Sequence, residues 1–156
     1  MKKINSLLNL AAIIFVVMGC NALTGEEVAR LSIDELTVDQ SDLKTQSTTI
    51  DLEAGDRLNL WAHMDLEYEG ELALEFQLLV IKEGDTLNML PLNPFEVDIT
   101  MNEVKTSFNN KTDWRFAGRM NYLDIEDSGT YEFQTLLLAN VGANPTINKA
   151  DLVFKK

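Results

Sequence analysis

The sequence predicts an all-β fold, an antiparallel β-sandwich of about seven to nine strands behind an N-terminal signal segment. Three observations predict it. Apolar and polar residues alternate repeatedly from Thr48 to the C-terminus, the period of strands with one face on a core. Turn signals separate these runs at spacings of about a dozen residues, as in sandwiches. No stretch beyond the signal needs a helix longer than about two turns. With 156 residues the chain suits one domain with a real core.

The elements follow in order. Residues 20–47 read as Cys20 and a polar tether, with a helical turn over Glu26–Leu31 and an edge strand around Leu36–Val38 as its candidate local structure. The sandwich is expected to occupy 48–156. Thr48–Leu52 is a short strand ending at the turn Glu53-Ala54-Gly55-Asp56. Leu58, Leu60, Ala62, Met64 and Leu66 form one face of the next strand. Leu72, Leu74, Phe76, Leu78 and Val80 form a face of the third, with Glu71, Glu75 and Gln77 outward. Lys82-Glu83-Gly84-Asp85 is a turn, because Gly supplies positive φ. Pro91 and Pro94 mark an irregular passage or an edge. Phe95–Met101 and Val104–Phe108 read as two short runs before the turn Asn109–Asp113. Trp114–Ile125 and Thr130–Ala139 follow as strands, then a loop over Asn140–Pro145 and a last strand over Thr146–Phe154.

Composition excludes several classes. Hydrophobic content of 46% with 24% charge excludes a wholly disordered chain. One cysteine excludes an intrachain disulfide framework, and one cysteine with one histidine excludes the usual structural zinc sites. A net charge of −12 argues against nucleic acid, whose phosphates need clustered Lys and Arg. No cofactor or metal is expected.

The N-terminus is an address. Lys2 and Lys3 precede an apolar run of nine, Leu10–Met18. A bilayer-spanning helix needs about 20 apolar residues, so the run is too short to span; its shape is that of a secretory signal over residues 1–19. Val17-Met18-Gly19-Cys20 resembles the lipobox of bacterial lipoproteins. That resemblance implies a diacylglyceryl group on the Cys20 thiol, cleavage before Cys20 and acylation of the new amino terminus. Gly19 is the small residue such cleavage requires, and Cys20 is the chain's one cysteine. Cleavage leaves 137 residues and, by removing Lys2 and Lys3, a net charge of −14. Two or three acyl chains hold firmly where one holds marginally. The expected location is the bacterial cell envelope, lipid-anchored on the membrane. Asn21, where an inner-membrane retention signal would have Asp, favours the outer membrane if the cell has one.

A second resemblance is structural. Asp127, Gly129 and Tyr131 match the Asp-x-Gly-x-Tyr-x-Cys corner of immunoglobulin-like domains, with Phe133 in place of the cysteine. The resemblance implies an immunoglobulin-like sandwich whose Tyr131 hydroxyl reaches back to the upstream backbone. The third strand lacks the family's tryptophan, so Phe76 or Leu78 must fill that core.

Candidate site residues are few. His63 falls on the polar parity of its strand, and no Gly-x-Ser-x-Gly motif accompanies it. Glu67, Glu69, Glu71, Glu75, Asp124, Glu126 and Asp127 offer carboxylate pairs of the kind glycosidases use, but in so acidic a chain they read as a solvated face. Trp61, Tyr68 and Trp114 are the candidate ligand contacts, because a flat exposed aromatic can stack on a sugar or anchor a protein. The expectation is a non-catalytic binding module with an envelope protein or glycan as partner. The alternatives are a structural subunit of an envelope assembly, or a small carboxylate-dependent hydrolase.

Overall fold

The computed structural model describes residues 24–33, 35–38, 41–140 and 144–156. The signal segment 1–19 and Cys20 lie outside the described residues. Nine strands form among the described residues: β1 (Glu27–Ser32), β2 (Gln46–Leu52), β3 (Arg57–Glu69), β4 (Leu74–Lys82), β5 (Asp85–Leu92), β6 (Ile99–Phe108), β7 (Lys111–Asp124), β8 (Gly129–Ala139) and β9 (Thr146–Lys155). They make an antiparallel sandwich, with a five-stranded sheet ordered β1-β9-β3-β7-β6 and a four-stranded sheet ordered β2-β8-β4-β5. No helix among the described residues is long and apolar enough to cross a membrane.

Period-two patterning builds the core. Leu58, Leu60, Ala62, Met64 and Leu66 of β3 are buried on one face, opposite Phe76 and Leu78 of β4 and Phe133 and Leu137 of β8. Leu152 and Phe154 of β9 complete the layer. Phe133 lies 4.9 Å from Phe154 between ring centroids, joining the two sheets at the position where the immunoglobulin pattern has a cysteine. Each such side chain contributes about 1.5–3 kcal/mol of burial. Two-residue turns set the registers of two hairpins. Asn109 and Asn110 take φ of +48° and +66° between the paired residues Phe108 and Lys111. Glu83 and Gly84 take φ of +54° and +87° between Lys82 and Asp85. Both are the positive-φ geometry that matches strand twist.

The tyrosine corner forms. Tyr131 is buried, and its hydroxyl donates to the Asp127 carbonyl at 2.6 Å. The strand order is the molecule's own: β8, which carries Tyr131, lies between β2 and β4, and β9 crosses to the other sheet between β1 and β3.

Several expectations about elements are corrected. The tether assigned to 20–47 does not stay outside the domain, and Glu26–Leu31 is not a helical turn. Residues 27–32 form β1, which pairs with β9 from Glu27↔Lys155 to Ser32↔Asp151, while Leu31 and Ile33 enter the core. The pairing and the burial of two apolar side chains outweigh the polar composition of the segment. Around Leu36–Val38 a single bridge, Thr37 to Leu138, replaces the proposed strand. The Pro91 passage takes the second of its two expected forms, an edge strand, β5, paired to β4 alone. Phe95 and Val97 fall outside any strand. The runs on either side of Asn102 merge into one β6 with a bulge between Met101 and Val104, where Asn102 takes φ of +53°.

Gly25 shows how firmly the N-terminal segment is held. Glu26 N–H donates to the Lys156 carbonyl at 2.8 Å and Lys156 N–H returns the bond to Glu26 at 2.9 Å. Gly25 takes φ of +77°, and a Cβ there would lie 2.5 Å from the Lys156 carbonyl oxygen. Only glycine fits that approach.

Candidate functional site

The three candidate aromatic contacts are placed by the sheets, and none presents a free flat face. Trp61 sits on the outer side of β3, opposite Val153 of β9. It is 1% exposed rather than open to solvent. Lys155 Nζ stands 4.6 Å from the centre of its ring. Trp114 stacks on Phe95 at 4.9 Å and 11°. Lys105 Nζ lies 3.7 Å from the centre of the Trp114 ring, and Trp114 Nε1–H donates to Glu103 at 2.9 Å. Tyr68 is half-buried and packs against the core. Tyr122 is the exposed member of the aromatic group, at 45%, with Arg57 4.3 Å from its ring centre.

Around Trp61 the outer face of the five-stranded sheet gathers a polar cluster. His63 is opposite Asp151 across the β3–β9 pair. Arg30 of β1 reaches over both: it pairs with the buried Asp151 carboxylate and with Glu27, and its Nη1 lies 3.5 Å from His63 Nδ1. Burial, followed by the charges of Arg30, Lys155 and Lys149, pushes the His63 imidazole down to about 4, so it is neutral at pH 7. The hydrogen bond from Arg30 holds the Glu27 carboxyl below the usual carboxylate range. Burial lowers the Lys155 ammonium. Trp61 Nε1 and His63 Nε2 are buried without a hydrogen-bond partner. A neutral, half-covered histidine with a guanidinium at its other nitrogen is a poor general base, and no hydroxyl or thiol nucleophile is bonded to it.

Two of the candidate carboxylates are neutralised by cations. Asp124 is paired with Arg57 at 2.7 Å, and Glu67 with Lys111 at 3.3 Å. No group of three or more metal-ligating side chains exists among the described residues. Asp127 and Gly129 serve the corner, the former through its carbonyl.

The most distinctive exposed surface is one that the sequence reading did not single out. Ten large apolar residues are exposed among those described, and six lie on β5 and β6: Leu87 and Met89, then Ile99, Met101, Val104 and Phe108. β5 and β6 are the edges of their two sheets away from the β1–β2 contact. These β6 side chains stand on the outer face of the five-stranded sheet, in register with Arg115 and Lys111, and Met89 on the outer face of the other sheet, in register with Leu79. Phe108 is 75% exposed and Val104 and Met89 are 60% exposed. On the opposite flank β1 and β2 lie against each other. The signal was available: Val104 and Phe108 alternate with Lys105 and Ser107 in a strand that nothing later in the sequence was needed to cover.

No family model, no curated protein and no solved structure matches this chain.

Proposed function

We propose that the mature chain is a non-catalytic binding module, held on the bacterial envelope by lipid on Cys20, which takes an envelope protein or glycan on its β5–β6 flank. The observation that carries the reading is the concentration of exposed apolar side chains on those two edge strands. Four of the six line the outer face of one sheet edge, on β6, and an exposed apolar row of that kind marks interaction sites. Edge strands add unpaired backbone donors and acceptors that an extended partner can use. Between the two edges β6 is the more open. Pro91 removes a donor from β5, whereas β6 contains no proline and runs regularly from Val104 to Phe108 after its bulge.

The lipobox residues Val17-Met18-Gly19-Cys20 support the anchor. A net charge of −14 in the mature chain gives the protein surface little attraction for anionic lipid heads, so attachment depends on the acyl chains. Replacing Cys20→Ser is expected to abolish palmitate labelling and to release the protein from membranes or leave it unprocessed. Palmitate that persists in the variant would contradict the anchor.

A photo-crosslinking residue at Val104 or Phe108, activated on intact cells, tests the flank. The reading expects one recurrent protein or glycan adduct that the same probe at Tyr122 does not give. Recovery of lipid alone from the flank positions would overturn it.

A further inference from the structure

The chain enters the fold at one corner, and that fixes which end of the sandwich can meet the bilayer. Glu26 is bonded to the sandwich through Lys156. Six residue steps separate it from Cys20, and at full extension these reach about 20 Å. The corner belongs to one end of the molecule. Glu27 is opposite Lys155, Arg57 opposite Asp124 and Leu52 opposite Gly129, so the turn 53–56 and the corner segment 125–128 lie at this same end. Gly55 and Ile125 are bonded to each other there at 2.7 Å. The other end carries Glu69 opposite Lys111, and the Asn109–Asn110 turn, where Gly70 N–H donates to Asn110 at 3.1 Å. β7 crosses the molecule from one end to the other in 14 residues, a length of about 45 Å. β1 and β6 are opposite edges of a five-stranded sheet, about 19 Å apart.

On the reading that Cys20 carries lipid, we propose that the domain stands on this entry end, with the 53–56 turn and the 125–128 corner facing the headgroups, and holds Phe108 and the Asn109–Asn110 turn away from the bilayer. The tether is shorter than half the length of the domain, so the entry end stays within about 20 Å of the bilayer and the domain cannot turn its far end down onto it. The anchoring corner is on the β1 edge, the edge farthest from the apolar β6. Charge keeps contact at the entry end light. Asp56 and Asp124 are paired with Lys156 and Arg57, but Glu53, Glu126 and Asp127 are exposed with no cation paired to them in the structure. An acidic end held close to a bilayer meets zwitterionic headgroups freely and is repelled by anionic ones. Phe108, the most exposed apolar side chain of β6, is then directed to something other than lipid.

The test uses the full lipidated chain in phosphatidylcholine vesicles, with a photo-crosslinking residue at Glu126 or at Asn109. Flotation of the same samples reports whether the anchor is present. The proposal expects floated protein in both, lipid adducts at Glu126 at least several-fold above those at Asn109, and fewer Glu126 adducts when phosphatidylglycerol is added. Floated protein with equal adducts at the two sites, or with more at Asn109, overturns the orientation and leaves the anchor standing. Protein that does not float overturns both. A flexible insert of about 20 Gly/Ser residues after Asn21 should remove the difference; adducts at Glu126 that survive the insert unchanged would show adhesion of the end itself and contradict the tether as its cause.

Discussion

At the scale of single residues, small groups at close approaches and one buried imidazole make the sharpest predictions. Gly118 of β7 is buried beneath Val97, and a Cβ there would lie 2.6 Å from Val97 Cγ1. Gly118→Ala is therefore expected to cost about 1–3 kcal/mol in denaturant unfolding, as overpacking does. Adding Val97→Ala should recover most of that loss; a double variant no better than Gly118→Ala would contradict the contact as the cause. Tyr131→Phe removes the bond to the Asp127 carbonyl and should cost about 1 kcal/mol while leaving the fold intact. His63 gives a pH signature. The folded state keeps it neutral down to about 4, against an ordinary value of 6.5. Between those values the unfolded chain binds more protons, so this histidine's part of the stability is whole above about pH 6.5 and is lost as the pH falls toward 4. The difference in unfolding free energy between wild type and His63→Asn should show that slope and be flat above pH 7. An equal pH dependence in the two proteins would contradict the burial.

At the scale of elements, β1 is the informative case. Its sequence, Glu27-Val28-Ala29-Arg30-Leu31-Ser32, holds no alternation long enough to declare a strand, and its neighbours look like a spacer. What makes it a strand is β9, more than a hundred residues away, and the Arg30 pair with Asp151. Such long-range pairing leaves no local mark in the sequence. Gly25→Ala should therefore destabilise the whole sandwich and not merely stiffen a linker, an outcome that thermal unfolding can read. An unchanged midpoint would return residues 25–32 to the tether. By contrast β3, β4 and β8 were legible to within two or three residues, because each buries an alternating face, and β9 was legible from its apolar run, which is buried on both faces from Ala150 to Phe154. The bulge in β6 was not legible, since Asn102 disturbs the pleat only where β7 sets the register. Among site residues, the corner Asp127-x-Gly129-x-Tyr131 was legible because its geometry is local. Trp61 was not, because parity gives the face on which a side chain stands and not what lies over it. The β5–β6 flank was legible only in part: Val104 and Phe108 alternate with polar neighbours, but their exposure at an edge depends on strand order.

At the scale of the whole molecule, an acidic two-layer sandwich follows a short apolar run that ends in the chain's single cysteine, with very little chain between them. The sandwich closes one flank by laying β1 against β2 and leaves the other open with six of its exposed large apolar side chains. Charged substitution there should leave the fold untouched, because β6 is exposed along its full length. Phe108→Asp is expected to change the unfolding midpoint little and to abolish capture of the flank's partner in crosslinking on cells. Loss of folding in Phe108→Asp would mean that Phe108 belongs to the core. Every part of the functional reading depends on Cys20, and intact-mass analysis of the protein purified from its native membranes tests it most directly. The account predicts a chain of 137 residues beginning at Cys20 and carrying a diacylglyceryl group on the thiol. A chain with an unmodified Cys20 thiol would contradict it.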